Sequence, residues 1–146
     1  MKTLESGRVL TAAGAVGLME RALKESIQYA KERVQGGNPI SSYQIIQSYL
    51  SEMKSLLETS REIVLKAARK KDEGARDLPL YSSIAKYFAT KSAVDVARLA
   101  TQIFGGYGYV RGYTVERLYR EAKMYEIIEG TNEIQKLIIS NYILKE

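Results

Sequence analysis

The stretch Arg8–Arg33, RVLTAAGAVGLMERALKESIQYAKER, decides the fold of this chain. Its apolar residues recur at steps of three and four, which places them on one face of a helix. That face consists of Val9, Ala12, Ala13, Val16, Met19, Leu23, Ile27 and Ala30. The Gly36-Gly37-Asn38-Pro39 segment ends the pattern, because glycine and proline do not readily continue a helix. The stretch therefore predicts a long amphipathic helix of roughly 40 Å, at ~1.5 Å per residue.

The same periodicity continues along the chain and predicts further helices. Their approximate ranges are Ser42–Glu73, Tyr81–Phe104, Val115–Met124 and Asn132–Leu144. The predicted apolar faces are Ile46, Leu50, Met53, Leu57, Ser60, Val64 and Ala67, then Ile84, Phe88, Val94, Ala97 and Leu99, and, in the last helix, Ile134, Leu137, Ile138 and Tyr142. No segment alternates convincingly enough to predict a strand. The prediction is an all-α fold, an antiparallel up-down-up-down four-helix bundle with an extra short helix, in a single domain over residues 1–146.

The composition excludes several kinds of chemistry. The 146 residues include 0 His and 0 Cys, which excludes thiol nucleophiles, imidazole acid–base catalysis and His/Cys metal sites, and we predict no metal site. The net charge is +5, but the basic residues alternate with Glu. The sequence therefore gives no sign of the basic groove that nucleic-acid binding requires. No apolar run reaches the roughly 20 residues of a membrane span, and the N-terminus lacks a signal segment. We therefore expect a cytoplasmic protein whose partners include neither nucleic acid nor a membrane.

The segment Ile128–Gln135, IEGTNEIQ, contains the candidate for proton chemistry. It places the carboxylate of Glu129 directly before a Gly-Thr helix start. A glutamate held at a loop-to-helix junction, partly shielded from water, is suited to act as a general base. Alternatively, Glu129 is a solvated loop acid beside an ordinary helix start. The local residues leave both interpretations open.

Two further features are compatible with an anion site, and each has a structural alternative. The segment Gly105–Gly112 is rich in glycine, but Arg111 stands where the dinucleotide fingerprint needs its last glycine. The segment is then a helix C-cap and turn, whose backbone N–H groups can still approach a phosphate. Arg33 either complements the C-terminal dipole of the first helix or donates both arms of its guanidinium to a pyrophosphate.

Four segments resemble, in the same order, motifs of the acyl-CoA dehydrogenase family. They are Glu32–Gln44 (ERVQGGNPISSYQ), Gln102–Tyr109 (QIFGGYGY), Glu116–Lys123 (ERLYREAK) and Ile128–Gln135. Members of that family are flavoenzymes with an N-terminal helical domain, a central β domain and a C-terminal four-helix bundle. The resemblance runs from about Leu4 to the C-terminus, which implies that the chain corresponds to the C-terminal bundle only.

The resemblance implies oxidation of an acyl-CoA thioester to a 2,3-enoyl-CoA. Glu129 would be the general base that removes the α-proton while the β-hydride passes to FAD. The stretch Leu4–Arg8 resembles a segment that contacts acyl-CoA. The implied substrate-binding residues are Glu5, Ser6, Gly7, Arg8 and Gly130. Relatives that place the base on the first helix have a carboxylate at the position of Gly7, so a glycine there leaves Glu129 as the base.

The resemblance also implies two sets of FAD contacts. Residues that would hold the flavin dinucleotide of a neighbouring subunit are Arg33, Gln44, Gln102, Ile103, Phe104, Gly105 and Gly106. Residues that would contact the subunit's own flavin are Thr131, Asn132 and Glu133, with Thr131 near a helix N-terminus suited to phosphate. One departure concerns Gly36, which stands where the family usually has a phenylalanine near the adenine, so weaker flavin binding is expected.

A bundle of this kind would offer only half of the flavin and acyl-CoA sites, because the family's β domain forms the other wall. We therefore expect a chain that is inactive by itself and needs a partner chain carrying the N-terminal and β domains. Family bundles associate through these helices, so a homo-oligomer, either a dimer or a tetramer, is expected. The alternative is a non-catalytic helical oligomerisation module derived from the same family.

Overall fold

The computed structural model describes residues 2–145, with the side chains of Lys2 and Thr3 outside that description. The elements in chain order are α1 (Lys2–Glu32), β1 (Val34–Gln35), β2 (Asn38–Pro39), α2 (Gln44–Asp72), α3 (Leu78–Phe104), α4 (Thr114–Ile127) and α5 (Asn132–Ile143). A short 3₁₀ helix at Ile40–Ser42 connects β2 to α2, and a second one at Gly105–Tyr109 connects α3 to α4. The predicted all-α bundle is confirmed.

Helix α1 begins earlier than the prediction had it. It starts at Lys2 and continues through Gly7, whereas the sequence pattern placed its start near Arg8. A glycine inside a helix costs only about 1 kcal/mol relative to alanine, which packing against neighbouring helices offsets. The extension places the segment Leu4–Arg8 within helix α1.

A small hairpin contradicts the prediction that the chain has no strand. Val34 pairs with Pro39 and Gln35 with Asn38 in an antiparallel register. Gly36 and Gly37 form the turn with φ of 58° and 83°, the left-handed conformation of both central residues in the turns that suit tight hairpins. Strands of two residues are too short for alternation to reveal them.

Helix α3 lies at the centre of the bundle and packs against each of the other four helices. Its inner positions are mostly small, which lets the neighbouring helices approach closely. They include Ala85, Ala89, Ala93, Ala97 and Ala100, all of them fully buried. The predicted inner face of α2 is confirmed in its central part, where Met53, Leu57, Ser60, Val64 and Ala67 are buried.

The predicted inner face of α5 is only partly right: Ile138 and Tyr142 are half-buried, whereas the two other predicted residues are exposed. Ile134 and Leu137 are 45% and 58% exposed, while Asn132 and Gln135 face the interior. On α1, likewise, Ala13 and Ile27 were predicted to be inside and are exposed. Periodicity identified an apolar stripe on α5, but the stripe faces outward because α5 docks through polar side chains. Among residues 2–145, none of the helices combines the length and apolarity needed to cross a membrane.

Candidate functional site

The connection between α4 and α5 gives Glu129 an unusual backbone. Helix α4 closes with the Ile128 N–H donating to the carbonyl of Met124 at 3.2 Å. Glu129 then has φ of 53°, the only positive φ among the described non-glycine residues, and Gly130 follows with φ of 88°. Side chains rarely occupy this region of φ, and such positions concentrate at functional sites where the surroundings hold them in place. The loop thus places Glu129 on a backbone conformation that a non-glycine residue rarely adopts.

Gly7 on α1 is the position against which the Glu129 carboxylate lies. A Cβ atom on Gly7 would come within 2.8 Å of Glu129 Cδ and would overlap Oε2. Any side chain at position 7 would have to displace the carboxylate. The structure thus brings the predicted base together with the segment predicted to contact acyl-CoA. The carboxylate lies over α1, and the residue as a whole is exposed in this chain.

A second close approach lies further along the same two helices. A Cβ on Gly14 would come within 2.9 Å of the Tyr125 hydroxyl oxygen and 3.0 Å of its ring carbon Cε1. Tyr125 precedes Glu129 by one helical turn. Two glycines of α1 therefore receive two side chains from α4 and its following loop, which fixes the position of that loop along α1.

Gln135 of α5 supports the Glu129 loop from the inside. Its side chain is fully buried, and Nε2 donates to the Gly130 carbonyl at 2.9 Å and to the Glu129 carbonyl at 3.4 Å. A Cβ on Gly130 would come within 2.8 Å of this nitrogen, so the position requires glycine for space as well as for its φ. Gln135 closes the Ile128–Gln135 motif, but nothing in the local sequence indicates that its side chain supports the loop.

Lys86 of α3 is a buried lysine that the sequence analysis did not identify. It is fully buried, and Nζ donates to the Glu126 carbonyl at 2.9 Å and to Asn132 Oδ1 at 3.0 Å. The Thr90 hydroxyl lies 2.9 Å from the same Oδ1, and Asn132 Nδ2 donates to Glu126 Oε1 at 3.2 Å. The sequence contained a signal, because Lys86 stands at helical spacing from the apolar positions Ala89 and Ala93.

Burial lowers the pKa of Lys86 to about 8, against the opposing effect of the Glu126 and Glu133 carboxylates. The positive charge of Arg8 adds to the lowering. Arg8 itself is half-buried, and its Nε makes no hydrogen bond within the described part of the chain. Of the other predicted substrate contacts, Glu5 is buried, while Ser6 and Gly7 are half-buried.

The predicted contacts to the subunit's own flavin separate into two groups. Thr131 caps α5, with its hydroxyl accepting the Ile134 N–H at 3.5 Å. Hydrogen bonds from its own backbone N–H and from Thr131 hold the pKa of Glu133 below its usual range. These residues lie near the surface, whereas the Asn132 side chain is inside the bundle. A flavin contact from Asn132 would therefore involve its main chain.

The other set of predicted cofactor residues lies at the far end of α1. Arg33 and the turn Gly105-Gly106 line a cleft of about 650 Å³, together with Tyr29, Tyr43 and Phe104 among others. Gln102 and the same two glycines line a neighbouring cleft of about 860 Å³. Gln44 is exposed at the first position of α2 and lines neither. Ile103 and Phe104 are buried, so they support the cleft from beneath.

Aromatic rings and the hairpin give this cleft its shape. Tyr29 stacks on Phe104 with ring centroids 4.0 Å apart, and the Arg33 guanidinium lies 5.7 Å from the centroid of the Tyr107 ring. The Tyr43 hydroxyl donates to the Gln35 carbonyl at 2.7 Å, which ties the hairpin to the start of α2. Among the described residues, no carboxylate pairs with Arg33.

The two sets of residues are far apart within one chain. Gly7 and Glu32 are separated along α1 by roughly 38 Å, from ~1.5 Å per residue. The base candidate and Arg33 consequently lie near opposite ends of α1. Among residues 2–145, no group of three or more acidic residues is arranged to hold a metal ion.

Comparison with known proteins gives a consistent result. A family model described as acyl-CoA dehydrogenase, C-terminal domain, matches residues 1–144. The chain is 47% identical over 144 residues to an acyl-CoA dehydrogenase of Bacillus subtilis, covering 99% of this chain and 38% of that protein. It is 43% identical over 145 residues to a 3-(aryl)acrylate reductase of Clostridium sporogenes, with coverage of 99% and 38%.

The fold has an equally clear counterpart among solved structures. Butyryl-CoA dehydrogenase from Megasphaera elsdenii matches with a TM-score of 0.94 and 44% identity, covering 97% of this chain and 37% of that one. The chain thus spans about 38% of the length of the curated relatives it matches.

Proposed function

The chain belongs to the acyl-CoA dehydrogenase family, and on that premise we propose that Glu129 is the base that removes the α-proton of an acyl-CoA thioester. The supporting observation is the contact of its carboxylate with Gly7. A glycine at this position of α1 leaves room for the carboxylate directly beside the segment proposed to contact the thioester.

The chemistry assigned to the chain is a single proton transfer. The bond between the thioester Cα and its hydrogen breaks, and the proton moves to a Glu129 carboxylate oxygen. The left-handed backbone at Glu129, the Gln135 hydrogen bonds and the Gly7 contact fix the direction in which the carboxylate points. A base held in one orientation lowers the barrier because little further ordering is needed in the transition state.

FAD is the proposed cofactor, and when bound it accepts the hydride from Cβ. The residues present fit a dinucleotide. The space around Gly105 and Gly106 is open, with no atom within 4 Å of either hypothetical Cβ, so another molecule's phosphates can approach the backbone closely. Arg33 offers a guanidinium with no carboxylate partner among the described residues. We assign Arg33, Gln102 and Gly105-Gly106 to a neighbouring subunit's flavin, and Thr131 and Glu133 to the subunit's own.

The separation of the two ends supports a multi-subunit arrangement. Because Arg33 and Glu129 lie at opposite ends of α1, a flavin held at one end completes its site with residues of another polypeptide. We propose that the chain supplies one wall of the cofactor and substrate sites and forms a homo-oligomer. The outward apolar stripe of α5, formed by Ile134 and Leu137 and continued by Leu144 directly after the helix, is the proposed contact surface.

The test uses a joined enzyme, in which this chain replaces the C-terminal domain of the Megasphaera butyryl-CoA dehydrogenase. Anaerobic bleaching of the flavin by butyryl-CoA reports the reaction. We expect Glu129→Gln to slow bleaching by at least about a hundredfold, the usual contribution of a general base. The control is Glu62→Gln, an exposed carboxylate of α2, which should bleach at the unsubstituted rate. Bleaching of Glu129→Gln at the unsubstituted rate refutes the base assignment and favours a non-catalytic oligomerisation module.

A further inference from the structure

We propose that Lys86 is a positioning residue that holds both ends of the connection bearing Glu129. The importance of that connection rests on the proposed function, but the contacts do not. Lys86 reaches from α3 to the end of α4 and to the start of α5 with one ammonium group.

The two acceptors of Lys86 lie on either side of the Glu129 loop. The Glu126 carbonyl belongs to the last turn of α4, where main-chain carbonyls lack a helical partner. Asn132 is the first residue of α5. By binding both, the ammonium fixes the span that residues 127–131 must bridge. A loop of fixed span favours the positive φ of Glu129.

Filling space in the bundle does not require a lysine at position 86. The side chain lies in a part of α3 where the buried neighbours are alanine, serine and threonine, and charging a buried amine costs free energy. The charged groups that face it are Glu126 from α4, Glu133 from α5 and Arg8 from α1. Methionine would fill the same volume without the cost of burying a charge. What methionine lacks is the donor that bridges α4 and α5.

The loop and the Lys86 contacts are connected by a second hydrogen-bonding side chain. The Gln135 side chain donates hydrogen bonds to the carbonyls of Glu129 and Gly130, in the middle of the same connection. Gln135 and Asn132 both belong to the first turns of α5. Loss of the hydrogen bond between Lys86 and Asn132 would therefore make the start of α5 more mobile. The Gln135 hydrogen bonds to the carbonyls around the base would then weaken as well.

The experiment is amide hydrogen exchange, resolved by residue with NMR, on the chain of residues 1–146 carrying Lys86→Met. The amides of Ile128 and Gln135 report the loop, because they donate to Met124 and Thr131. The amides of Leu57 and Val64 on α2 report the bundle. We expect the loop amides to exchange at least about tenfold faster than in the unsubstituted chain, with the α2 amides unchanged. That factor corresponds to about 1.4 kcal/mol, the scale of one hydrogen bond to a charged group.

The matched control is Met53→Ala, a fully buried residue of α2 away from the loop. It should raise exchange at α2 and at the loop in parallel, which is the signature of a merely destabilised bundle. If Lys86→Met shows that parallel pattern, or leaves Ile128 and Gln135 at their original rates, the proposal is overturned. Should Lys86→Met fail to fold, Asn132→Ala removes one acceptor and is held to the same two outcomes.

This test fails separately from the test of the proposed function. Glu129→Gln leaves the Lys86 contacts in place, so exchange at Ile128 and Gln135 should stay at the original rate. Fast bleaching by Glu129→Gln together with a loosened loop in Lys86→Met would refute the base assignment and leave the positioning role standing. Slow bleaching together with an unaltered loop would do the reverse.

Discussion

At the scale of single residues, the arrangement of the site depends on the absence of a Cβ atom at Gly7. The Glu129 carboxylate occupies the space of a Cβ at that position, so the smallest possible substitution reaches the proposed base. Helix stability and activity should therefore respond in opposite directions to alanine at this position. Alanine stabilises a helix by about 1 kcal/mol relative to glycine, but its Cβ would displace the proposed base.

The corresponding prediction concerns Gly7→Ala in the joined enzyme. Displacing the carboxylate by about 1 Å should slow flavin bleaching by about a hundredfold, since catalysis is sensitive to misplacement on this scale. The control is Gly17→Ala on the same helix, where no atom lies within 4 Å of the new Cβ. Gly17→Ala should stabilise the helix and leave bleaching unchanged. Equal bleaching rates for the two variants would contradict the contact described here.

At the scale of elements, the sequence predicted the helices well and their surroundings less well. Spacing at three and four identifies which residues form an apolar stripe, and for α2 that stripe is the buried face. For α5 it is the exposed one, because Asn132 and Gln135 form the inner contacts through hydrogen bonds that periodicity does not report. Lys86 was overlooked for the same reason, since its partners come from α4 and α5 and are distant in sequence.

The individual site residues could be predicted where a short motif resembled the family, but the contacts between motifs could not. Glu129 and its neighbours follow one another in the chain, and their resemblance to a family motif named them. The contact with Gly7 joins the two ends of the chain, and no local pattern contains it. The hairpin after α1 was likewise hidden, because the Gly36-Gly37 pair reads as a helix stop whether or not two short strands flank it.

The outward stripe of α5 gives an element-scale prediction about self-association. Leu137→Glu places a charge in the proposed contact surface, where it should disfavour association through desolvation. Because Leu137 is 58% exposed, the fold itself should be little affected. Sedimentation velocity should show the unsubstituted chain as a dimer or tetramer and Leu137→Glu as a smaller species. Ser55→Glu adds the same charge at an exposed polar position of α2, on a different helix from the stripe, and should sediment like the unsubstituted chain. Identical sedimentation of Leu137→Glu would remove α5 from the interface.

At the scale of the whole molecule, the buried Lys86 should give stability a distinctive pH dependence. Its pKa is about 8 in the folded chain and near the ordinary 10.5 in the unfolded chain. Between these values the unfolded state binds a proton that the folded state does not, so the Lys86 contribution to stability rises with pH. Below about pH 8 both states are protonated and the contribution is constant.

Urea denaturation of the unsubstituted chain and of Lys86→Met, at pH 8.0 and at 9.5, checks this sign. The free energy of unfolding of the unsubstituted chain, minus that of Lys86→Met, should increase by about 1.5 kcal/mol between pH 8.0 and 9.5. This figure follows from 1.36 kcal/mol per unit of pKa difference. Neighbouring ion pairs raise the pKa of Lys70 and Lys123, but these groups are common to both proteins and cancel. A difference that stays constant with pH would show that Lys86 titrates normally.

The most direct measurement follows the proton itself. The α-hydrogens of butyryl-CoA are exchanged with deuterium in D₂O by the joined enzyme, and mass spectrometry counts the deuterium incorporated. If Glu129 is the base, incorporation should fall by at least about a hundredfold in Glu129→Gln, while the variant still binds FAD. Incorporation by Glu129→Gln at the rate of the unsubstituted enzyme would mean that another group removes the proton.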